Sequence, residues 1–238
     1  MATGEYICFV DSDDYISEDY LLEFAKEIDK NAVEIIICGY TEIKGKNKIE
    51  RNFYDLDLGN IRRNIVLRSW APAACNKCYK KELFKDELFP VGQTMEDLFL
   101  IPSLLLKTDK ISCIDKALYY YDRNNSCSIM NTMNTLKEYD NFLSYIRLIK
   151  LADKINVSSE EKEALIMETL KIGRKCLYHN YMQKMLNKEQ CENVKVFLRE
   201  NINHIRGNFY KKIMEKFLIE QLLSGNDFVC KIIAKIKR

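Results

Sequence analysis

Tyr6-Ile7-Cys8-Phe9-Val10-Asp11-Ser12-Asp13-Asp14 (residues 6–14) opens the reading of this chain. Tyr6 to Val10 is a continuous apolar run that ends on acids, the pattern of a strand buried on both faces. Ser17 follows as an N-cap, with Glu18 and Asp19 in the first helical turn. The helix so started extends to about Lys30, with Leu21, Leu22, Phe24, Ala25 and Ile28 toward one side. Val33 to Tyr40 is β-branched and apolar, a second buried strand. Strand, helix, strand is the rhythm of a parallel sheet in an α/β fold. Acids placed directly after such a strand stand at the carboxyl edge of the sheet, where open α/β folds bind ligands.

Outward from this unit the pattern stays mixed to about residue 130. Lys44 to Leu58 reads as a loop or an edge hairpin, and Asn60 to Ser69 as a helix broken at Ala71-Pro72-Ala73-Ala74. A helix is expected from Met95 to about Lys107, kinked or split by Pro102, followed by short strands at Lys110–Ile114 and Leu118–Tyr121. From about Asn131 proline is absent and glycine rare. Periodic apolar positions predict helices near 135–155, 159–183, 188–202, 207–223 and 226–237. The expected organisation is a partial α/β domain with a mixed sheet over 1–130 and an all-α region over 131–238.

The 238 residues are 47% hydrophobic and 30% charged, which suits a globular protein and argues against wholesale disorder. The longest apolar stretch, Leu98 to Leu106, is too short to span a bilayer. The nine cysteines follow no framework spacing. Several sit in apolar runs, which fits free thiols in a reducing cytoplasm. Residues 1–129 carry 17 Lys and Arg against 22 Asp and Glu, and residues 130–238 carry 20 against 13. An acidic first half suits a metal-collecting site. A basic second half suits either a solvated helical surface or an anionic partner. The tail Phe228–Arg238 is basic and amphipathic, compatible with the inner face of a plasma membrane or with packing on neighbouring helices. No nucleic-acid partner is called for.

Four segments carry chemistry. In Asp11-Ser12-Asp13-Asp14 two carboxylates one residue apart can reach one hard cation, Mn²⁺ or Mg²⁺; alternatively the segment is an acidic loop capping the next helix. A haloacid-dehalogenase-like phosphatase also places Asp-x-Asp after a strand, but Asp14 and Tyr15 stand where its pattern has other residues. A calcium loop is excluded, because Leu22 occupies the position of the bidentate Glu. Thr94-Met95-Glu96-Asp97 pairs two acids at a helix start, either as a capping box or as an oriented base. In Asn76-Lys77-Cys78-Tyr79-Lys80, Lys77 is a candidate phosphate contact on what otherwise reads as a surface segment. Leu118-Tyr119-Tyr120-Tyr121-Asp122-Arg123, with Ser126-Cys127-Ser128-Ile129 behind it, is a tyrosine-rich strand that either lines a sugar site or simply presents an amphipathic face.

In this order and spacing the four segments, covering about 120 residues, resemble the family-2 glycosyltransferases, especially bacterial enzymes of capsular, cell-wall and exopolysaccharide synthesis. The resemblance implies a GT-A fold and inverting transfer of a sugar from a nucleotide-diphosphate donor to a polysaccharide, glycolipid or related acceptor. It gives Asp11 and Asp13 the metal and diphosphate role, Asp13 as the direct ligand, with Asp14 assisting. Asp97 matches the family's catalytic base and Glu96 its support. Lys77, Tyr121 and Ser128 border the acceptor or phosphates. In such enzymes a nucleoside-reading portion precedes the Asp-x-Asp, whereas here Asp11 lies near the first residue. On that ground Tyr6–Val10 is expected to have unpaired edges, and the chain by itself to bind donor weakly and turn over little. The expectation is then an expressed fragment, a truncated or split gene, or a chain completed by another polypeptide, with a homo-oligomer as a further candidate partner. The alternative is a non-catalytic remnant serving as an interaction or membrane-docking module.

Overall fold

The computed structural model describes residues 2–30, 32–53, 73–124, 134–155, 157–205 and 210–225. The helices expected over Asn60–Ser69 and 226–237, the break at Ala71-Pro72 and the nominated Ser128 lie outside them. The described residues form two compact units, one of residues 1–91 and 96–132, the other of 92–95 and 133–238.

The first unit is built on a six-stranded sheet: β1 (Tyr6–Cys8), β2 (Tyr15–Ile16), β3 (Ile35–Lys44), β4 (Asn47–Arg51), β5 (Lys77–Lys80) and β6 (Ile111–Asp122), in the order β1-β5-β3-β6-β2. The hairpin strand β4 pairs with β3. Among the described residues this unit carries the α-helices α1 (Tyr20–Lys30) and α2 (Glu96–Leu105). Strand β3 shows why its sequence is continuously apolar. Ile35 and Ile37 pack with Leu100, Ile101, Leu104 and Leu105 of α2. The alternate residues Ile36 and Cys38 pack with Tyr20 and Phe24 of α1. A strand covered on both faces has no polar side to show.

The parallel rhythm of β1, α1 and β3 is present, but the two strands are not neighbours. β5 lies between them, antiparallel to both. The segment read as a surface stretch is thus buried sheet, with Asn76, Lys77, Cys78 and Tyr79 at most 2% exposed. Its polar letters hid it, because a buried lysine or asparagine becomes tolerable only when the fold supplies partners. β1 has β5 on one edge and no strand on the other among the described residues, so one of its two edges is paired. The two short strands expected before residue 122 are one strand, β6, parallel to β3. Its register shifts at Gly39, where Cys38 faces Ile114 and Gly39 faces Ala117, so Asp115 and Lys116 bulge outward, exposed. A Cβ on Gly39 would lie 2.7 Å from the Arg51 carbonyl oxygen, so glycine is required by close backbone approach. α2 runs through Pro102 without splitting.

The second unit contains α3 (Thr135–Ala152), α4 (Ser159–Gln183), α5 (Lys188–Asn201) and α6 (Tyr210–Ser224). Their starts obey the sequence. Asn134 caps α3, and reciprocal capping boxes pair Ser158 with Glu161 and Asn187 with Gln190. The core gathers Tyr139, Phe142, Leu170, Leu177, Val194 and Leu198 around Gly173. A Cβ at Gly173 would stand 3.2–3.3 Å from Leu198, Phe142 and Val194, so three helices meet where that side chain is missing. Inside this packing Glu138 is 2% exposed, ion-paired to Lys175 at 2.9 Å and hydrogen-bonded to His179 Nδ1 at 2.6 Å.

Candidate active site

The acidic loop leaves β1 and is fixed on two sides. Phe9 makes edge-on contacts with Tyr79, Phe84 and Phe89, at centroid distances of 6.0, 5.8 and 5.2 Å. Across the loop, the buried Tyr119 of β6 accepts a hydrogen bond from Asp11 N–H through its hydroxyl (3.1 Å) and donates to Asp14 Oδ2 (2.6 Å). Asp122 N–H donates to Asp14 Oδ1 at 2.8 Å. Asp14 N–H closes a turn on Asp11 C=O (3.1 Å), which brings residues i and i+3 together. Asp11, Asp14 and Cys75 therefore each place a ligand-type atom within 4.8 Å of the others. Asp13 is exposed and lies outside that group.

The second pair of acids opens α2. Met95, just before it, has φ of +60°, a region uncommon for a residue with a side chain and a mark of local strain. The Thr94–Asp97 capping box is not formed. Thr94 donates from its N–H (2.8 Å) and hydroxyl (2.9 Å) to Asp140 Oδ2, while Asp97 Oδ2 accepts from Ala74 N–H at 3.0 Å. Asp97 is half-buried and Glu96 exposed.

The electrostatics tie the two acidic segments together. Burial pushes the Asp97 carboxyl up to about 6; the Ala74 N–H opposes the rise, Glu96 adds to it, Lys77 opposes it and Asp11 adds to it. Asp11 is raised by burial and then by Asp14, Asp13 and Glu96. Asp14 is raised by burial, although the Tyr119 hydroxyl and Asp122 N–H work against it. Carboxylates kept close without matching cations favour a proton or a metal ion. The donor set fits a hard divalent cation through Asp11 and Asp14. Cys75 is a poor candidate for it, because burial pushes its thiol up to about 12 and leaves it neutral.

Among the other nominated residues, Tyr121 shares the face of β6 that carries Tyr119, half-buried, with the Arg123 guanidinium 6.0 Å from its ring centroid. Lys77 is 0% exposed, and its ammonium faces Ala73 O (2.5 Å) and Asn76 Oδ1 (2.7 Å) rather than solvent, where a phosphate would lie. The sequence reading missed Tyr119 and the Ala74 amide. The period of two along β6 was the available signal for Tyr119, since it shares a face with Tyr121. The Ala74 amide carries no signal, because a backbone donor has no letter of its own.

Comparison with known proteins bears on this arrangement. Residues 1–88 match the model for "Glycosyl transferase family 2". The chain is 30% identical over 135 residues to the glycosyltransferase GlyA of Streptococcus pneumoniae serotype 4, covering 50% of this chain and 19% of GlyA. It is 27% identical over 178 residues to the poly(ribitol-phosphate) β-N-acetylglucosaminyltransferase TarS of Staphylococcus aureus, covering 71% of this chain and 30% of TarS. Against GlyG of the same Streptococcus pneumoniae strain it is 27% identical over 201 residues, covering 78% of this chain and 63% of GlyG. The chain thus spans less than a third of GlyA and TarS. A crystal structure of S. aureus TarS residues 1–349 in complex with UDP-GlcNAc superposes over 94% of this chain and 69% of that one, with a TM-score of 0.60 at 19% identity. These matches are glycosyltransferases throughout, and the phosphatase reading of Asp11 and Asp13 falls away. With the mixed sheet, the acidic loop after β1 and the acid pair opening α2 in place, residues 1–88 match glycosyltransferase family 2, and the chain shares the GT-A-type fold of TarS.

Proposed function

We propose that this chain carries the sugar-transfer site of an inverting glycosyltransferase that takes its donor as a nucleotide-diphosphate sugar and passes the sugar to a polysaccharide, glycolipid or related acceptor. The observation that carries the proposal is Asp97, a half-buried carboxylate pushed up to about 6 and electrostatically linked to the acidic loop after β1. A general base works best when its pKa lies near the working pH, and burial brings Asp97 there. Its Oδ2 is held by Ala74 N–H, so Oδ1 is the atom assigned to take the acceptor hydroxyl's proton. The freed oxygen attacks the anomeric carbon, the bond to the nucleoside diphosphate breaks, and the configuration inverts. Glu96 supports proton uptake through its negative charge.

Asp11 and Asp14 would hold the cation, Mn²⁺ or Mg²⁺, with Asp13 exposed beside them as a further oxygen ligand. When bound, such an ion supplies charge neutralisation for the departing diphosphate. Tyr121 borders the same loop. The TarS structure in complex with UDP-GlcNAc supports testing uridine donors first. Among the described residues no helix is long and apolar enough to cross a membrane. A cytoplasmic setting with peripheral contact at the inner membrane face is the proposed location.

The test is a Mn²⁺ titration with a panel of nucleoside diphosphates and their sugars. It compares the wild-type chain with Asp11→Asn, Asp13→Ala and Asp97→Asn, reading donor binding by calorimetry and donor hydrolysis or transfer by product release. Metal-dependent binding lost in Asp11→Asn, with turnover lost but binding kept in Asp97→Asn, is the expected pattern. Absence of donor binding under every condition would sink the proposal for this chain and leave the non-catalytic reading standing.

A further inference from the structure

We propose that Lys77 is a positioning residue for Asp97 and acts on it through a single peptide group, the one joining Ala73 to Ala74. The inference deepens the proposed function, because it concerns the carboxylate read there as the base.

The geometry is a chain of hydrogen bonds. The Lys77 ammonium donates to Ala73 O at 2.5 Å, and the amide of that same peptide unit, Ala74 N–H, donates to Asp97 Oδ2 at 3.0 Å. A cation on the oxygen of a peptide group draws electron density toward it and strengthens the N–H as a donor. The positive charge of Lys77 is thus delivered to Asp97 as a better-aimed and stronger hydrogen bond, in addition to its direct attraction across a poorly solvated interior.

The lysine is itself held in place. Its ammonium donates a second hydrogen bond to Asn76 Oδ1 at 2.7 Å, and Asn76 Nδ2 donates to Cys38 O at 2.7 Å. Cys38 N–H donates back to Asn76 O at 3.0 Å. Both residues are almost wholly buried, Asn76 at 1% and Lys77 at 0% exposed, at the edge where β5 pairs with β3. A cation kept out of water on two oxygen acceptors is costly to retain as packing alone. Its placement accounts for that cost if it offsets the crowding of acids around Asp97. Asp97 faces Glu96 on its own helix, Asp11 on the loop after β1, and Lys77, Cys75 and Tyr79 on β5 and its approach. Of these groups Lys77 alone is a cation.

The test follows the Asp97 side-chain carboxyl by ¹³C NMR through a pH titration of the full chain. Lys77→Met and Lys77→Arg are compared with wild type, and thermal melting confirms folding. The midpoint is expected to rise in Lys77→Met by about one unit or more, the effect of losing a nearby opposite charge, and to return toward the wild-type value in Lys77→Arg. A folded Lys77→Met variant with the wild-type midpoint overturns the proposal. Should Lys77→Met not fold, the wild-type chain decides. The Lys77 ¹⁵Nζ and Ala74 amide resonances must both shift with the Asp97 midpoint, and failure of either to do so overturns the bridge. These readouts need no turnover. A moved midpoint combined with full transfer by Asp97→Asn keeps the positioning role and removes Asp97 as base. An unmoved midpoint with transfer lost in Asp97→Asn does the reverse.

Discussion

Two carboxylates withdrawn from solvent, one in each unit, meet opposite treatment. Glu138 in the helical unit is 2% exposed and has Lys175 and His179 within 2.9 Å. Arg174 and Glu215 repeat the arrangement between α4 and α6. Asp97 in the sheet unit faces Glu96 and Asp11, and the Lys77 ammonium and the Asp97 carboxylate share hydrogen bonds with one peptide group. The helical unit pairs its buried charges, which is what a structural core requires. In the sheet unit Asp97 and Asp11 are crowded by other acids, which lowers stability and fits a group kept for a ligand. The contrast supports the proposed chemistry in the sheet unit, around Asp97 and Asp11.

The largest expected effect is at Asp97. Asp97→Asn is expected to cut transfer by roughly 10²–10⁴-fold, the range for losing a general base, with donor binding retained. The same substitution is expected to stabilise the fold at pH 8. A carboxyl whose folded pKa is about 6 holds its proton more tightly folded than unfolded. It therefore contributes stability that is complete below about pH 3.9 and lost as the pH rises through about 6. Replacing it with a neutral amide removes a penalty of roughly 3 kcal/mol at pH 8, measured by urea unfolding. A variant that loses both stability and activity would put Asp97 with Glu138 among the structural charges.

The wild-type rate, kcat/KM against pH, should fall about tenfold per unit below pH 6, because the base must be ionised to work. Saturation with Mn²⁺ should lower the Asp11 and Asp14 midpoints, which burial, aided by neighbouring acids, now raises. A side-chain carboxyl titration with and without Mn²⁺ measures this, and Asp11→Asn should weaken Mn²⁺ binding by about tenfold or more.

In the helical unit the effects should appear in stability alone. Gly173→Leu, which forces a side chain between three helices, is expected to cost about 1–3 kcal/mol with the transfer rate per folded molecule unchanged. Glu138→Gln is expected to cost roughly 1 kcal/mol. Lys175 is 53% and His179 32% exposed, so both can turn to water once their partner is neutral. A changed donor affinity in either variant would break the division of labour between the units.

The sequence by itself determined the local features. The apolar run ending on Asp11-Ser12-Asp13-Asp14, the apolar strand β3 and the capping residues Asn134, Ser158 and Asn187 were legible because each depends on neighbours within a few residues. Tertiary structure decided what depends on distant partners. It inserted β5 between β1 and β3, buried Lys77 and Asn76, brought Asp14 rather than Asp13 to Asp11, and gave Asp97 a backbone amide 23 residues away as its hydrogen-bond donor. The reason is physical. Hydrophobic periodicity and capping are short-range properties that a letter encodes. The environment of a charge is the sum of everything the fold brings near it, including peptide groups that have no letter.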